Sequence, residues 1–290
     1  DDFIFRIALL CFDNDRYNLS EKYFNILLSK FYAPDNINFF LGQIDYKNKR
    51  YDEALLHYHR IQQGTFVNTK TLNVSKALLK KYNLEKALTY IDQEIKIKND
   101  NNLLNSLSLK LSIFEEIGES ADIINLSSQI LKTFPNNERA LYSRALAYEK
   151  EGNILNMSKD FDEMIKLNKY NSIALNAYGY SLSLHKLHLE KSEKLIRKAL
   201  DIRPGQAAIL DSLAWVLYLK GSYKEAAKYS SLAYSKDQDP EIVEHHYLIL
   251  LKNGYPNEAK YILEQSIKNN PDSENLLKLL NNSKNAAINL

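Results

Sequence analysis

Apolar residues recur along this chain at helical spacing, in short stretches broken at regular intervals. The clearest stretch runs from Ala207 to Pro240. Leu210, Leu213, Ala214 and Leu217 form one apolar face, Gly221 interrupts it, and Ala226, Ala227, Ser230 and Ala233 form a second. The pattern predicts two amphipathic helices joined by a glycine turn. Small residues at Ala214, Ala226 and Ala233 predict that the two helices approach closely.

The same pattern returns from end to end. With Ala214 as position 8 of its unit, the equivalent residues are Ala8, Gly42, Ser75, Leu111, Ala145, Gly179 and Tyr247. They are small except at Leu111 and Tyr247. The first small position of the second helix falls at Ser20, Ala54, Ala87, Ile123, Met157, Ser192, Ala226 and Ala259, and successive marks stay 33 to 36 residues apart. A period this regular predicts an array of helix pairs, each burying its apolar faces against its neighbours.

Spacing and residue types together resemble the tetratricopeptide (TPR) repeat, whose period is about 34 residues. The resemblance implies an all-α chain, a right-handed α-α superhelix or TPR solenoid of about eight helix-turn-helix repeats. Composition agrees: 290 residues with 45% hydrophobic side chains hold only 8 Gly and 6 Pro, and no useful length shows strand-type alternation. Taken in order, the chain divides into N-terminal repeats over 1–103, C-terminal repeats over 104–273, and a capping helix with a polar tail over 274–290. The run Lys98 to Asn102 is the expected joint between the two arrays, Gly64 is expected to end the second repeat's second helix, and Tyr82 replaces a turn glycine.

The balance of 38 Lys and Arg against 36 Asp and Glu argues against nucleic acid as a partner, since phosphate binding leaves a basic footprint. No stretch approaches the ~20 apolar residues of a membrane-spanning helix. Cys11 is the single cysteine and occupies a core position equivalent to Leu217, so a buried thiol is expected. Its neighbours Ala8, Leu9 and Leu10 make a poor match to a lipoprotein cleavage box, because Leu10 is too large and Arg6 interrupts the apolar run. The sequence begins at Asp1, so any targeting signal is expected upstream of it.

Six histidines are the first candidates for chemistry. His57 and His59 point to different helix faces, His185 and His188 flank a turn, and His245 and His246 are adjacent, none with the spacing of a zinc site. A phosphate-cradling glycine loop and a Gly-x-Ser-x-Gly elbow are both missing. The sequence therefore predicts no catalytic residues, no metal and no cofactor. What remains is binding.

In the TPR architecture, positions 5, 9 and 12 of each first helix line the inner, concave surface. Here they are Tyr142, Leu146 and Glu149 in the fifth repeat, Asn176, Tyr180 and Ser183 in the sixth, and Asp211, Trp215 and Tyr218 in the seventh. Aromatic, amide and carboxylate groups in that arrangement suit a peptide or an extended segment of a partner protein. The competing reading is that Trp215 and Tyr180 simply pack between adjacent helices. The carboxylate clamp of cytosolic TPR co-chaperones is absent, since inner positions of the first four repeats read Phe5 and Leu9, Phe39 and Gln43, Leu72 and Lys76, and Ser108 and Ser112.

A narrower resemblance covers most of the chain. LGQIDY, FPNNERALYSRAL, ALNAYGYSL, RPGQAAILDSLAWVLY and DPEIVEHH look like the TPR lipoproteins on the periplasmic face of the Gram-negative outer membrane. Among these the chain looks like an adaptor that binds a C-terminal processing protease and delivers murein hydrolases to it. That resemblance implies a non-catalytic scaffold with a protease and its substrate as partners, in the periplasm at the outer membrane. A cytoplasmic or secretion-pathway TPR adaptor, or the regulatory TPR domain of a larger enzyme, is the alternative. Self-association through Phe3, Ile4 and Phe5 of the first repeat is a further expectation.

Overall fold

A computed structural model describes residues 1–97 and 103–288 and shows only helices and turns among them. The described residues form two compact units, 1–135 and 136–290. The division at 103/104 expected from the sequence falls within the first unit, and the joint expected at 98–102 lies outside the described residues.

The first unit pairs α1 (Asp2–Asp13) with α2 (Tyr17–Ser29), α3 (Pro34–Lys47) with α4 (Tyr51–Arg60), α5 (Lys70–Lys81) with α6 (Leu84–Ile97), and α7 (Leu103–Ile117) with α8 (Ser120–Thr133). The second pairs α9 (Glu138–Lys150) with α10 (Ile154–Leu167), α11 (Ser172–Leu184) with α12 (Leu189–Ile202), α13 (Ala207–Leu219) with α14 (Tyr223–Lys236), and α15 (Pro240–Lys252) with α16 (Pro256–Asn269). It closes with α17 (Glu274–Ile288). Within each unit, helices pack against their sequence neighbours, and first helices also touch the next first helix, as α11 does α13 and α13 does α15. Eight helix pairs among the described residues match the repeats read from the sequence.

The small residues do what their spacing predicts. All eight position-8 residues are buried, as are all eight second-helix marks. Ala8 and Ser20 meet where α1 crosses α2, with Ser20 Oγ donating to the Ala8 carbonyl at 2.9 Å. At the α11–α12 crossing, Ser192 Oγ donates to the Gly179 carbonyl at 2.6 Å. A Cβ on Gly179 would lie 2.6 Å from Ile196 Cγ1 and 2.8 Å from the Ser192 carbonyl oxygen, so only glycine fits without the helices parting. Cys11 is buried, as expected.

Each turn between paired helices must reverse the chain in a few residues. Gly221 does so at φ +81, and the Ser222 N–H then bonds back to the Leu217 carbonyl, satisfying an end of α13. Asp15, Lys49 and Lys186 take the equivalent positive φ without being glycine. Tyr82 does not, ending α5 at φ −121 instead. The expectation for Gly64 is corrected: α4 stops at Arg60, and Gly64 lies in the following loop, which carries Phe66 onto the ring of Phe39.

In the second unit the core is built from Leu175, Ile196, Leu213, Val216, Leu217 and Ile249, drawn from α11 to α15. It buries one side of α11, α13 and α15. Their other side, together with a side of α9, is left to face a cleft.

Candidate functional site

The cleft has a volume of about 560 Å³. Tyr142 and Leu146 reach it from α9, Asn176 and Tyr180 from α11, and Asp211 from α13. These are inner positions of three successive repeats, converging on one cleft from three first helices. Small side chains keep the space open: Ser172, Ala177, Ser181, Ala208 and Ser212 also line it.

A second hollow of about 490 Å³ is lined by Tyr180, Trp215, Glu241, Glu244 and His245, so Tyr180 and Glu241 border both. The Tyr180 hydroxyl donates to Glu241 Oε1, and burial together with that bond holds the phenol above its ordinary range. Trp215 stacks on His245 with ring centroids 4.2 Å apart and on Tyr218 at 5.1 Å. The tryptophan thus packs across a repeat boundary, as the competing reading expected, and also borders the hollow.

Asp211 is 4% exposed. His245 Nδ1 donates to its Oδ2 at 2.8 Å, while Oδ1 is buried with no hydrogen-bond partner. Burial holds the Asp211 carboxyl above the usual carboxylate range, His245 pulls it back, and the nearby charges of Glu241 and Asp239 push it up again. Two further polar atoms at inner positions, Asn176 Oδ1 and Trp215 Nε1, are also buried and unpartnered. Buried polar atoms are ordinarily paired, because an orphan costs on the order of 1–3 kcal/mol. The three orphans, two acceptors and one donor, belong to residues that line the two adjoining hollows.

The remaining predicted residues lie to the side. Glu149 accepts from His185 Nε2 at 2.8 Å, and Tyr218 packs between Trp215 and Tyr223. Ser183 is fully buried, its Oγ turned back to the Tyr180 carbonyl, so it belongs to the packing and not to the lining. The sequence reading missed Arg203, Gln206, Asp237, Asp239 and Glu241, which line the cleft from the ends of α12 and α14 and the starts of α13 and α15. It also missed His245, which sits at position 6 of its repeat. Their only trace in the sequence was the pair of segments RPGQ and DQDPE at repeat boundaries.

The histidines have separate partners: Asn38 for His57, Glu149 for His185, Asp211 for His245 and Ser230 for His246. Among the described residues, no three His, Cys, Asp or Glu side chains gather as a metal site. Nor is any helix there long and apolar enough to cross a membrane.

No protein-family model matches the chain. Over 211 residues, 73% of its length, it is 26% identical to a TPR repeat-containing protein of Pseudomonas aeruginosa, and it spans only 36% of that protein. Its fold is similar to that of a tetratricopeptide repeat protein from Parabacteroides merdae, with a TM-score of 0.61 at 15% identity over 86% of this chain and 98% of that one. PilW, a type IV pilus biogenesis factor, aligns at TM-score 0.58 and 16% identity, covering 75% of this chain and all of PilW (100%). PilF of Pseudomonas aeruginosa aligns at 0.55 and 15%, over 74% of this chain and 97% of its own. Eight helix pairs with buried crossings, and these three likenesses, give the chain the fold of a tetratricopeptide-repeat solenoid.

Proposed function

We propose that the chain is a non-catalytic scaffold whose second unit holds an extended segment of a partner protein in the cleft along α9, α11, α13 and α15. The observation that carries this reading is the set of unpartnered atoms at Asn176, Asp211 and Trp215, all at inner positions. An extended backbone brings N–H and C=O groups at regular intervals and satisfies such atoms without needing a unique side-chain sequence. Tyr142, Tyr180 and Trp215 add apolar contact area, and Glu149 and Tyr218 buttress the ends of their helices.

The narrower proposal is that the partners are a protease and its substrate, such as a murein hydrolase, met on the periplasmic side of the outer membrane. Its support is where the family-like segments fall. FPNNERALYSRAL runs into α9, ALNAYGYSL is the core of α11, ILDSLAWVLY that of α13, and DPEIVEHH opens α15, so four of the five segments carrying the resemblance border the cleft, while LGQIDY lies in α3 of the first unit.

The test is a pull-down from native cell extract with the chain and with a Trp215→Ala, Tyr180→Ala double variant of unchanged helical circular dichroism. Selective loss of one protein from the variant supports the cleft, and a protease or murein hydrolase among the losses supports the narrower reading. Identical partners with both proteins would overturn the assignment of the cleft.

A further inference from the structure

The charges around the cleft are lopsided. Asp211, Asp237, Asp239 and Glu241 line it against Arg203, which sits on the exposed loop after α12. Glu244 adds a further carboxylate at the adjoining hollow. This local excess stands against a chain whose charges otherwise nearly cancel, at a net of +2. An acidic rim alone is common on helical proteins. Here it surrounds a carboxylate that is more than nine-tenths buried, has one oxygen without a partner, and lines the cavity itself.

Burying a carboxylate costs free energy unless charge or hydrogen bonds compensate. His245 supplies one bond, to Oδ2. The Tyr180 hydroxyl is committed to Glu241, and Asp239 caps α15 by accepting from the Glu241 N–H at 2.9 Å. His245 thus compensates the carboxylate from one side only, and Oδ1 is left without a hydrogen bond. We propose that the cleft selects a partner segment carrying a lysine or arginine side chain, whose ammonium or guanidinium group enters beside Asp211 and is shared with Asp239 and Glu241. The inference rests on the cleft being the partner-binding site and adds the chemistry of the anchor. The aromatic rings of Tyr142 and Tyr180 receive the aliphatic stem of such a side chain, which is long and apolar behind its charged tip. Acidic segments are disfavoured by the same charges, so the rim sets specificity as well as affinity.

The experiment pans a random dodecapeptide display library on the full chain, with the Asp211→Asn, Glu241→Gln double variant in parallel. On the wild type, Lys and Arg should be enriched several-fold over the input, and on the variant the enrichment should vanish. One selected peptide, N-acetylated so that its terminal amine cannot act as the cation, is then titrated by fluorescence of Trp215, the single tryptophan in the chain. Replacing its basic residue with citrulline or norleucine should weaken binding at least tenfold, about 1.4 kcal/mol, for the wild type and under twofold for the variant. Should Asp211→Asn fail to fold, Glu241→Gln alone and the citrulline peptide read the same interaction. Peptides that bind in the cleft, sensitive to Trp215→Ala, but with no basic preference would overturn the cationic anchor and leave the binding site standing. Failure to select any peptide that competes at Trp215 would overturn both.

Discussion

The two units are built from the same helix pair at the same period, yet they use their first helices differently. In the first two repeats of the first unit, position 5 holds Phe5 and Phe39, and their rings join Phe24, Phe40 and Phe66 in a continuous cluster, Phe39 stacking on Phe66 at 3.8 Å. In the second unit the same position holds Tyr142, Asn176 and Asp211, and a cleft opens between them. Repeat architecture is therefore indifferent to what the inner face carries. The helix crossings, at position 8 and its second-helix partner, keep the pairs together. That separation of duties frees the inner face to be filled in one place and functional in another.

The comparison predicts that removing a ring from the filled unit costs stability, and Phe24→Ala is the sharpest case. Phe24 is fully buried and touches Phe5 and Phe40, so its loss should cost about 4 kcal/mol, seen as a lower urea midpoint by circular dichroism. Peptide binding in the second unit should survive under mild conditions. Unchanged stability would mean that the cluster is a surface ornament.

Next in size is a pH effect from the second unit. His246 is buried against Ser230, and burial lowers its pKa to about 4. The unfolded chain takes up a proton near pH 6.5 that the folded chain refuses, so this contribution is complete above that pH and is lost as pH falls toward about 4. The full shift corresponds to roughly 3 kcal/mol. Urea denaturation followed by Trp215 fluorescence at pH 7, 5.5 and 4.5 should show the decline, and His246→Gln should flatten it. Asp211, with its raised pKa, works in the opposite sense, losing stability as pH rises, so the difference between wild type and variant is the quantity to read.

Gly179→Ala tests whether crossings bear the load in the cleft unit. The added methyl meets the Ser192 backbone carbonyl, which cannot rotate away, and the overpacking should exceed the gain in helix propensity by about 2 kcal/mol. At Gly42 the obstacle is the ring of Tyr58, which a Cβ would approach to 2.5 Å and which is itself buried, so Gly42→Ala should cost at least as much. A negligible cost at either glycine would mean that the crossings have room to relax.

The smallest effect on stability should come from making the second unit resemble the first. Ala177 lines the cleft and is half-buried, so Ala177→Phe should fill the space with a change in stability below about 1 kcal/mol. Affinity for a peptide selected on the wild type should fall at least tenfold in the fluorescence titration. If affinity holds, the segment lies elsewhere on the chain.

The sequence by itself determined the helix pairs, their number and their crossings. Helix pairing is local: partners lie within one period, and the small residues that allow close approach leave a mark at each repeat. Ala8 with Ser20 and Gly179 with Ser192 were legible for that reason, and so were Asn176, Tyr180 and Asp211 as inner positions. Tertiary structure alone decided what surrounds them. His245 meets Asp211 across 34 residues, from a position the inner-face rule skips, and the acidic rim comes from helix ends whose direction depends on how successive pairs stack. Whether position 5 is filled or open was likewise invisible one residue at a time, because Phe39 closes its side only when the loop after α4 delivers Phe66 onto it. Local spacing encodes the repeat, while the chemistry of the site arises from side chains that become neighbours only after the repeats have packed.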